Sequence, residues 1–163
     1  MAWNIVDHIT IYRDRSWYAA HPCIVRTSSG DLLTLFHRST DLGHAHHTHP
    51  LFDLRACRSI DDGASWEEQH LVTCDPLGGV LDFGAHTLQD GSVFLHAATV
   101  ELVPQDTSTQ NNRDWVSQPG IPFWIRSLDD GHTWTDPVRF SRLPEGFWGN
   151  PADNSGVCRS QLL

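Results

Sequence analysis

The stretch Arg58-Ser59-Ile60-Asp61-Asp62-Gly63-Ala64-Ser65-Trp66 returns as Arg126-Ser127-Leu128-Asp129-Asp130-Gly131-His132-Thr133-Trp134, with 68 residues between Ser59 and Ser127. Both copies read Arg-Ser-apolar-Asp-Asp-Gly-x-Ser/Thr-Trp, and the residue types suit a tight hairpin turn. A short Asp carboxylate accepts turn N–H groups, Gly supplies a positive φ, and the Trp ring closes the hairpin against its neighbour. Strand-like segments flank each copy: Leu51 to Cys57 and Gln69 to Thr73 around the first, Pro122 to Ile125 and Pro137 to Phe140 around the second.

A second repeat lies between these copies. Cys23-Ile24-Val25-Arg26-Thr27-Ser28-Ser29-Gly30-Asp31-Leu32-Leu33 matches Ala85-His86-Thr87-Leu88-Gln89-Asp90-Gly91-Ser92-Val93 as strand, Gly turn and strand, and Gly30 and Gly91 are 61 residues apart. The last residues, Gly156 to Leu163, read as a third copy of that first strand, stopping before its turn. Each unit therefore has four antiparallel strands, and a repeat of this kind predicts a propeller blade with long loops. The expected fold is all-β, a partial propeller of about two blades plus the first strand of a third. The expected boundaries are an entry strand over 1–20, blade one over 21–75, blade two over 80–142 and the start of blade three over 155–163.

Composition narrows the function classes. The chain has 163 residues, 39% apolar and 19% charged, enough for a compact core and too few charges for a disordered polyampholyte. A formal charge of −9 repels nucleic acid and anionic membrane surfaces, so neither is an expected partner. All 11 basic residues are Arg, which excludes lysine Schiff-base chemistry and biases recognition toward planar pairing with carboxylate or phosphate. The start, Met1-Ala2-Trp3-Asn4-Ile5-Val6-Asp7-His8, lacks a signal-peptide pattern. Nothing else fixes the compartment, and that start favours the cytoplasm. Cys23, Cys57, Cys74 and Cys158 show no CxxC spacing, so buried, reduced thiols are expected.

In a four-stranded blade the first and third turns share one end, which leaves the longer loops at the other. Three loops stand out there. Arg38 to Pro50 concentrates Arg38, Asp41, His44, His46, His47 and His49; Pro104 to Gly120 carries Arg113, Asp114 and Trp115; Leu143 to Asn154 carries Trp148. Aromatic rings beside Asp, Asn, Arg and His match the C–H faces and hydroxyls of a sugar, so a carbohydrate is the expected partner. The alternating histidines also permit two His pairs around a divalent ion, with Asp41 or Asp53 as third ligand, but alternation in a loop is a weak metal signature. No metal and no cofactor is assigned.

The Ser-x-Asp-x-Gly-x-Ser/Thr-Trp motif, at Ser59, Asp61, Gly63 and Trp66 and again at Ser127, Asp129, Gly131 and Trp134, resembles the Asp box, or BNR repeat, of sialidases and related six-bladed propellers. In that family it is a structural turn away from the active face. The resemblance implies an exo-α-sialidase type of glycoside hydrolase when the protein is complete, with this segment inactive alone. Leu32-Leu33-Thr34-Leu35-Phe36-His37-Arg38 followed by Asp41 is similar to the family's run before an Arg and an acid/base Asp. Carried over, Asp41 is the catalytic residue and Arg38 a substrate contact, joined on the rim by His21, His44, His46, Arg113, Trp115 and Trp148. Two departures stand against this. The family's Arg-Ile-Pro reads Ala20-His21-Pro22 here, and the only tyrosines, Tyr12 and Tyr18, stand where the family's nucleophile is not found. The alternatives are a non-catalytic glycan-binding propeller and a polysaccharide lyase with His as base.

Overall fold

The computed structural model describes residues 8–40, 52–74, 78–104 and 115–139. The elements are β1 (Trp17–Arg26), β2 (Leu32–Thr40), β3 (Asp53–Ser59), β4 (His70–Cys74), β5 (Gly78–Thr87), β6 (Val93–Pro104), β7 (Trp115–Ser127) and β8 (Val138–Arg139). They form two four-stranded sheets in chain order, β1-β2-β3-β4 and β5-β6-β7-β8, antiparallel throughout. The described residues contain no helix. This is a partial β-propeller.

Period-two alternation sends one face of each sheet to the shared core. Leu33, Leu35, Leu54 and Ala56 of the first sheet meet Val80, Phe83, Ala85, Leu95, Ala97, Phe123 and Ile125 of the second, all buried. Cys57 is buried with a free thiol, and desolvation pushes it up to about 11, so it stays protonated near neutrality. Cys23 is also free.

The repeated turns lie together at one end. In the first, Asp61 Oδ1 accepts from Ser65 N–H at 2.8 Å, Asp61 Oδ2 from Ser65 Oγ at 2.5 Å, and Ser59 Oγ from Gly63 N–H at 2.8 Å. The second repeats the pattern, with Asp129 taking Thr133 N–H at 2.8 Å and Thr133 Oγ1 at 2.6 Å, and Ser127 taking Gly131 N–H at 2.7 Å. These donors hold the Asp61 and Asp129 carboxyls down to about 2. Asp62 and Gly63, and likewise Asp130 and Gly131, take positive φ, at 61°, 92°, 57° and 88°.

The turn ends also join the sheets. Ser28 donates through N–H and Oγ to Asp130 Oδ1 at 2.9 and 2.8 Å, while Thr87 Oγ1 donates to the Arg26 carbonyl at 2.6 Å. Arg58, 2% exposed, reaches Asp31 at 2.8 Å and the Asp130 carbonyl at 2.5 Å. Its counterpart Arg126 pairs with Asp90 within its own sheet.

Two strands extend further than the sequence pattern suggests. Residues 115–120, read above as loop, continue β7, with Trp115 opposite Pro104. Arg38 to Thr40 continue β2, where Ser39 and Thr40 lie opposite Tyr18 and Trp17. Aromatic and β-branched cross-strand pairs stabilise ladders that polar composition disguises.

Candidate functional site

The end of the sheets opposite the turns holds the candidate site. Arg38 sits near the C-terminal end of β2, directly across from Ala19 of β1 and Asp53 of β3. Its guanidinium carbon lies 3.9 Å from the centroid of the Trp17 ring, a cation–π contact, and Nη2 is 3.6 Å from Asp53 Oδ2. The Asp53 oxygen is already taken: Arg55, two residues along β3 and on the same face, donates to Oδ2 through Nε at 2.9 Å and Nη2 at 2.5 Å. Arg38 is only 7% exposed, yet among the described residues its Nε and the other Asp53 oxygen, Oδ1, have no hydrogen-bond partner. Two guanidiniums around one carboxylate leave a net positive charge in a nearly dry place, where an anion binds more strongly than at open surface.

Asp53, weighed above as a third ligand for the loop histidines, is thus engaged by two arginines. Among the described residues no group of three His, Cys, Asp or Glu side chains comes together to hold a metal ion.

His21 lies in a bulge of β1, where the register slips between Ala20 and Cys23, and its φ is 54°. Its exposed ring stands 5.7 Å from that of His37. His37, 1% exposed, fills a cage between the sheets with Phe83 at 4.6 Å and Phe52 edge-on at 5.5 Å between ring centroids. Desolvation, reinforced by His21, lowers His37 to about 3; the Val80 backbone offsets part of this without reaching hydrogen-bond geometry. His37 is therefore neutral near pH 7 and unsuited to carry a proton there.

β5 repeats the bulge between Leu81 and Gly84, so its backbone puts Asp82 and Phe83 where β1 has His21 and Pro22. Bulges concentrate beside functional sites, where they re-aim side chains. Asp82 went unnoticed in the sequence, although it stands 61 residues after His21, the same interval that separates Gly30 from Gly91. Trp17, Arg55 and His37 also escaped notice, because their roles depend on cross-strand neighbours. Asp41, His44, His46, Arg113 and Trp148 lie outside the described residues, as do residues 155–163. Trp115 is placed by its backbone at the start of β7.

No protein-family model matches the chain. It is 28% identical over 135 residues to a sialidase of Bacteroides fragilis, a match covering 74% of this chain and 24% of that protein. Among solved structures, a protein of unknown function from Dyadobacter fermentans superposes with a TM-score of 0.69 at 24% identity, over 83% of this chain and 40% of the other. The Hadza microbial sialidase Hz136 gives 0.56 at 25% identity, over 74% and 25%. The NanB sialidase of Streptococcus pneumoniae gives 0.58 at 10% identity, over 83% and 38%, a likeness of fold alone. The chain spans about a quarter of the curated relative and 25% to 40% of these structures. Sequence and fold together relate this chain to the sialidase superfamily.

Proposed function

We propose that the complete protein is a glycan-processing glycoside hydrolase of exo-α-sialidase type, acting on a terminal sugar that bears a carboxylate. The observation that carries this reading is Arg38, a guanidinium held under Trp17 and beside Asp53, three residues before Asp41. Likeness to sialidases supports it. In this reading Arg38 contacts the substrate through charge-assisted hydrogen bonds, and Asp41 gives a proton to the glycosidic oxygen or relays one from the attacking water. Arg113, His21, His44 and His46 supply polar contacts, and Trp115 and Trp148 stack on the sugar's C–H faces. The two Ser-x-Asp-x-Gly turns act as Asp boxes, which hold the blades together at the opposite end.

The test is hydrolysis of a fluorogenic sialoside by the complete polypeptide and by its Asp41→Ala variant. Loss of a general acid–base group lowers the rate by ~10²–10⁴. A variant within about threefold of the parent rate removes Asp41 from the chemistry, since that is far below what such a group contributes.

One observation favours a second reading, a glycan-binding propeller without turnover. Where the resemblance expects an Arg the chain has Ala20, and the adjoining bulge of β1 offers His21 as its only substitute in that tripeptide. An imidazole makes at most a single, protonation-dependent contact in place of a bidentate pair. Sialoside binding with no hydrolysis carries this reading instead.

A further inference from the structure

We propose that the face of the second sheet carrying His86, Phe94, His96 and Trp124 is the docking surface for the next four-stranded unit of the polypeptide, and that its two histidines make this seam weaken in acid. This follows from the fold, whatever roles Arg38 and Asp41 have.

The two sheets meet head to tail. Leu33, Leu35 and Ala56 on one face of the first sheet pack against Leu95, Ala97 and Ile125 of the second. Strand registers identify the equivalent positions. Leu33 lies opposite Val25 and Arg58, and Phe94 opposite His86 and Arg126; Leu35 lies opposite Cys23 and Ala56, and His96 opposite Gly84 and Trp124. Phe94 and His96 therefore hold the places of Leu33 and Leu35, and they alternate onto the face turned away from Leu95 and Ala97. Sheets that meet through unlike faces make a heterologous contact, which leaves the second sheet ready to receive another in the same way. The occupant this surface fits is a further sheet, presenting the apolar side that Leu95, Ala97 and Ile125 present to the first.

This face differs from its counterpart in one respect that bears on pH. His86 replaces Val25 and His96 replaces Leu35, both packed in the first seam. The two rings are 6.2 Å apart between centroids and 16° from parallel, beside Phe94 stacked on Trp124 at 5.7 Å. His96 is 8% exposed, and among the described residues neither its Nδ1 nor His86 Nε2 has a hydrogen-bond partner. Burial, and then the neighbouring His86, hold the His96 ring below the usual imidazole range. Arg126 on β7 lies beside them, opposite Phe94, and is engaged by Asp90; β8 adds the uncharged Val138, opposite Trp124. Protonating either ring puts an unpaired charge in the seam, and protonating both sets like charges side by side. Water solvates those charges when the sheets part, so the open state gains protons and grows as pH falls below about 6.5.

The test is hydroxyl-radical footprinting of the complete polypeptide, read by mass spectrometry at Phe94 and Trp124 and, for the first seam, at Phe123. Near pH 7.5 Phe94 and Trp124 are expected to be protected at every protein concentration. Between pH 6.5 and 5.5 their labelling is expected to rise about 10-fold for each histidine protonated on opening. His86→Val/His96→Leu, which installs the residues of the first sheet, is expected to abolish that rise and to leave the pH response of Phe123 as in the parent. His37→Leu, in the first seam, is expected to leave the rise at Phe94 and Trp124 intact. His96→Gln, neutral at every pH, removes the larger part of the rise and serves if the double variant does not fold. A parent without the rise, or a His86/His96 variant that keeps it, overturns the proposal. So does a double variant that changes Phe94 and Phe123 equally, which assigns the pair to global stability. Labelling that is high near pH 7.5 shows the face uncovered, and labelling that falls with protein concentration gives it to a second copy; either result also overturns the proposal.

Discussion

His37 shows how an ordinary residue becomes a liability once its neighbours are chosen. In the sequence it is one polar position inside the run from Leu32 to Arg38, and in the fold it is 1% exposed between Phe52 and Phe83, with neither ring nitrogen hydrogen-bonded among the described residues. Its value in the folded state, about 3, lies below the ~6.5 of an exposed ring, so the unfolded chain binds the proton more readily. Stability attributable to this group is therefore complete above about pH 6.5 and is lost as pH falls toward 3, at up to about 1.4 kcal/mol per pH unit. His37→Leu is expected to match the parent near pH 7 within about 1 kcal/mol, since it removes a buried polar group at similar volume. It is also expected to flatten the decline between pH 6.5 and 4.5, read as denaturation midpoints across that range. An unchanged slope would assign the acid sensitivity to other groups. The turn aspartates act lower, because Asp61 and Asp129 keep their charge down to about 2 and begin to cost stability only below the usual carboxylate range near 4.

The two repeated turns look interchangeable in sequence but meet different surroundings. A Cβ on Gly63 would sit 3.5 Å from Leu32 Cδ1, ordinary contact, so Gly63→Ala carries the strain of φ 92° and little else. A Cβ on Gly131 would come within 2.6 Å of Leu33 Cδ2, and Leu33 is 0% exposed in the seam between the sheets. Gly63→Ala is expected to cost about 1 kcal/mol and Gly131→Ala about 2–4 kcal/mol, the excess being overpacking. Urea unfolding of both variants checks the order, and equal costs would mean that Leu33 yields without penalty. The asymmetry arises because the second turn docks on the first sheet, where Arg58 holds the Asp130 carbonyl and Ser28 holds its carboxylate. Ser28, Arg58 and Asp130 form a staple between the sheets that the motif spacing does not reveal.

Across the whole molecule, the two sheets use one face each for their common core. Thr34, Phe36 and Arg38 alternate onto the other face of the first sheet, where Tyr12 stacks on Phe36 with ring centroids 4.8 Å apart. If the proposed sialidase chemistry holds, it needs groups from further blades, so residues 1–163 expressed alone are expected to hydrolyse no fluorogenic sialoside above background. Turnover by this segment would show that two blades suffice. Much of the fold was legible in the sequence because it depends on local chemistry: Asp, Ser and Gly at set positions dictate the turns, alternation dictates which side chains face the core, and the 61- and 68-residue intervals dictate the repeat. Arg38 was singled out by its resemblance to a family run, but its surroundings in the fold were not legible. That Trp17 covers it, that Asp53 lies opposite, and that Arg55 competes for the same oxygen depend on strand register, which brings together residues up to 38 positions apart, from Trp17 to Arg55. A linear pattern specifies which residues share a face; which charges meet is settled only when the strands pair and bring distant residues to one register position.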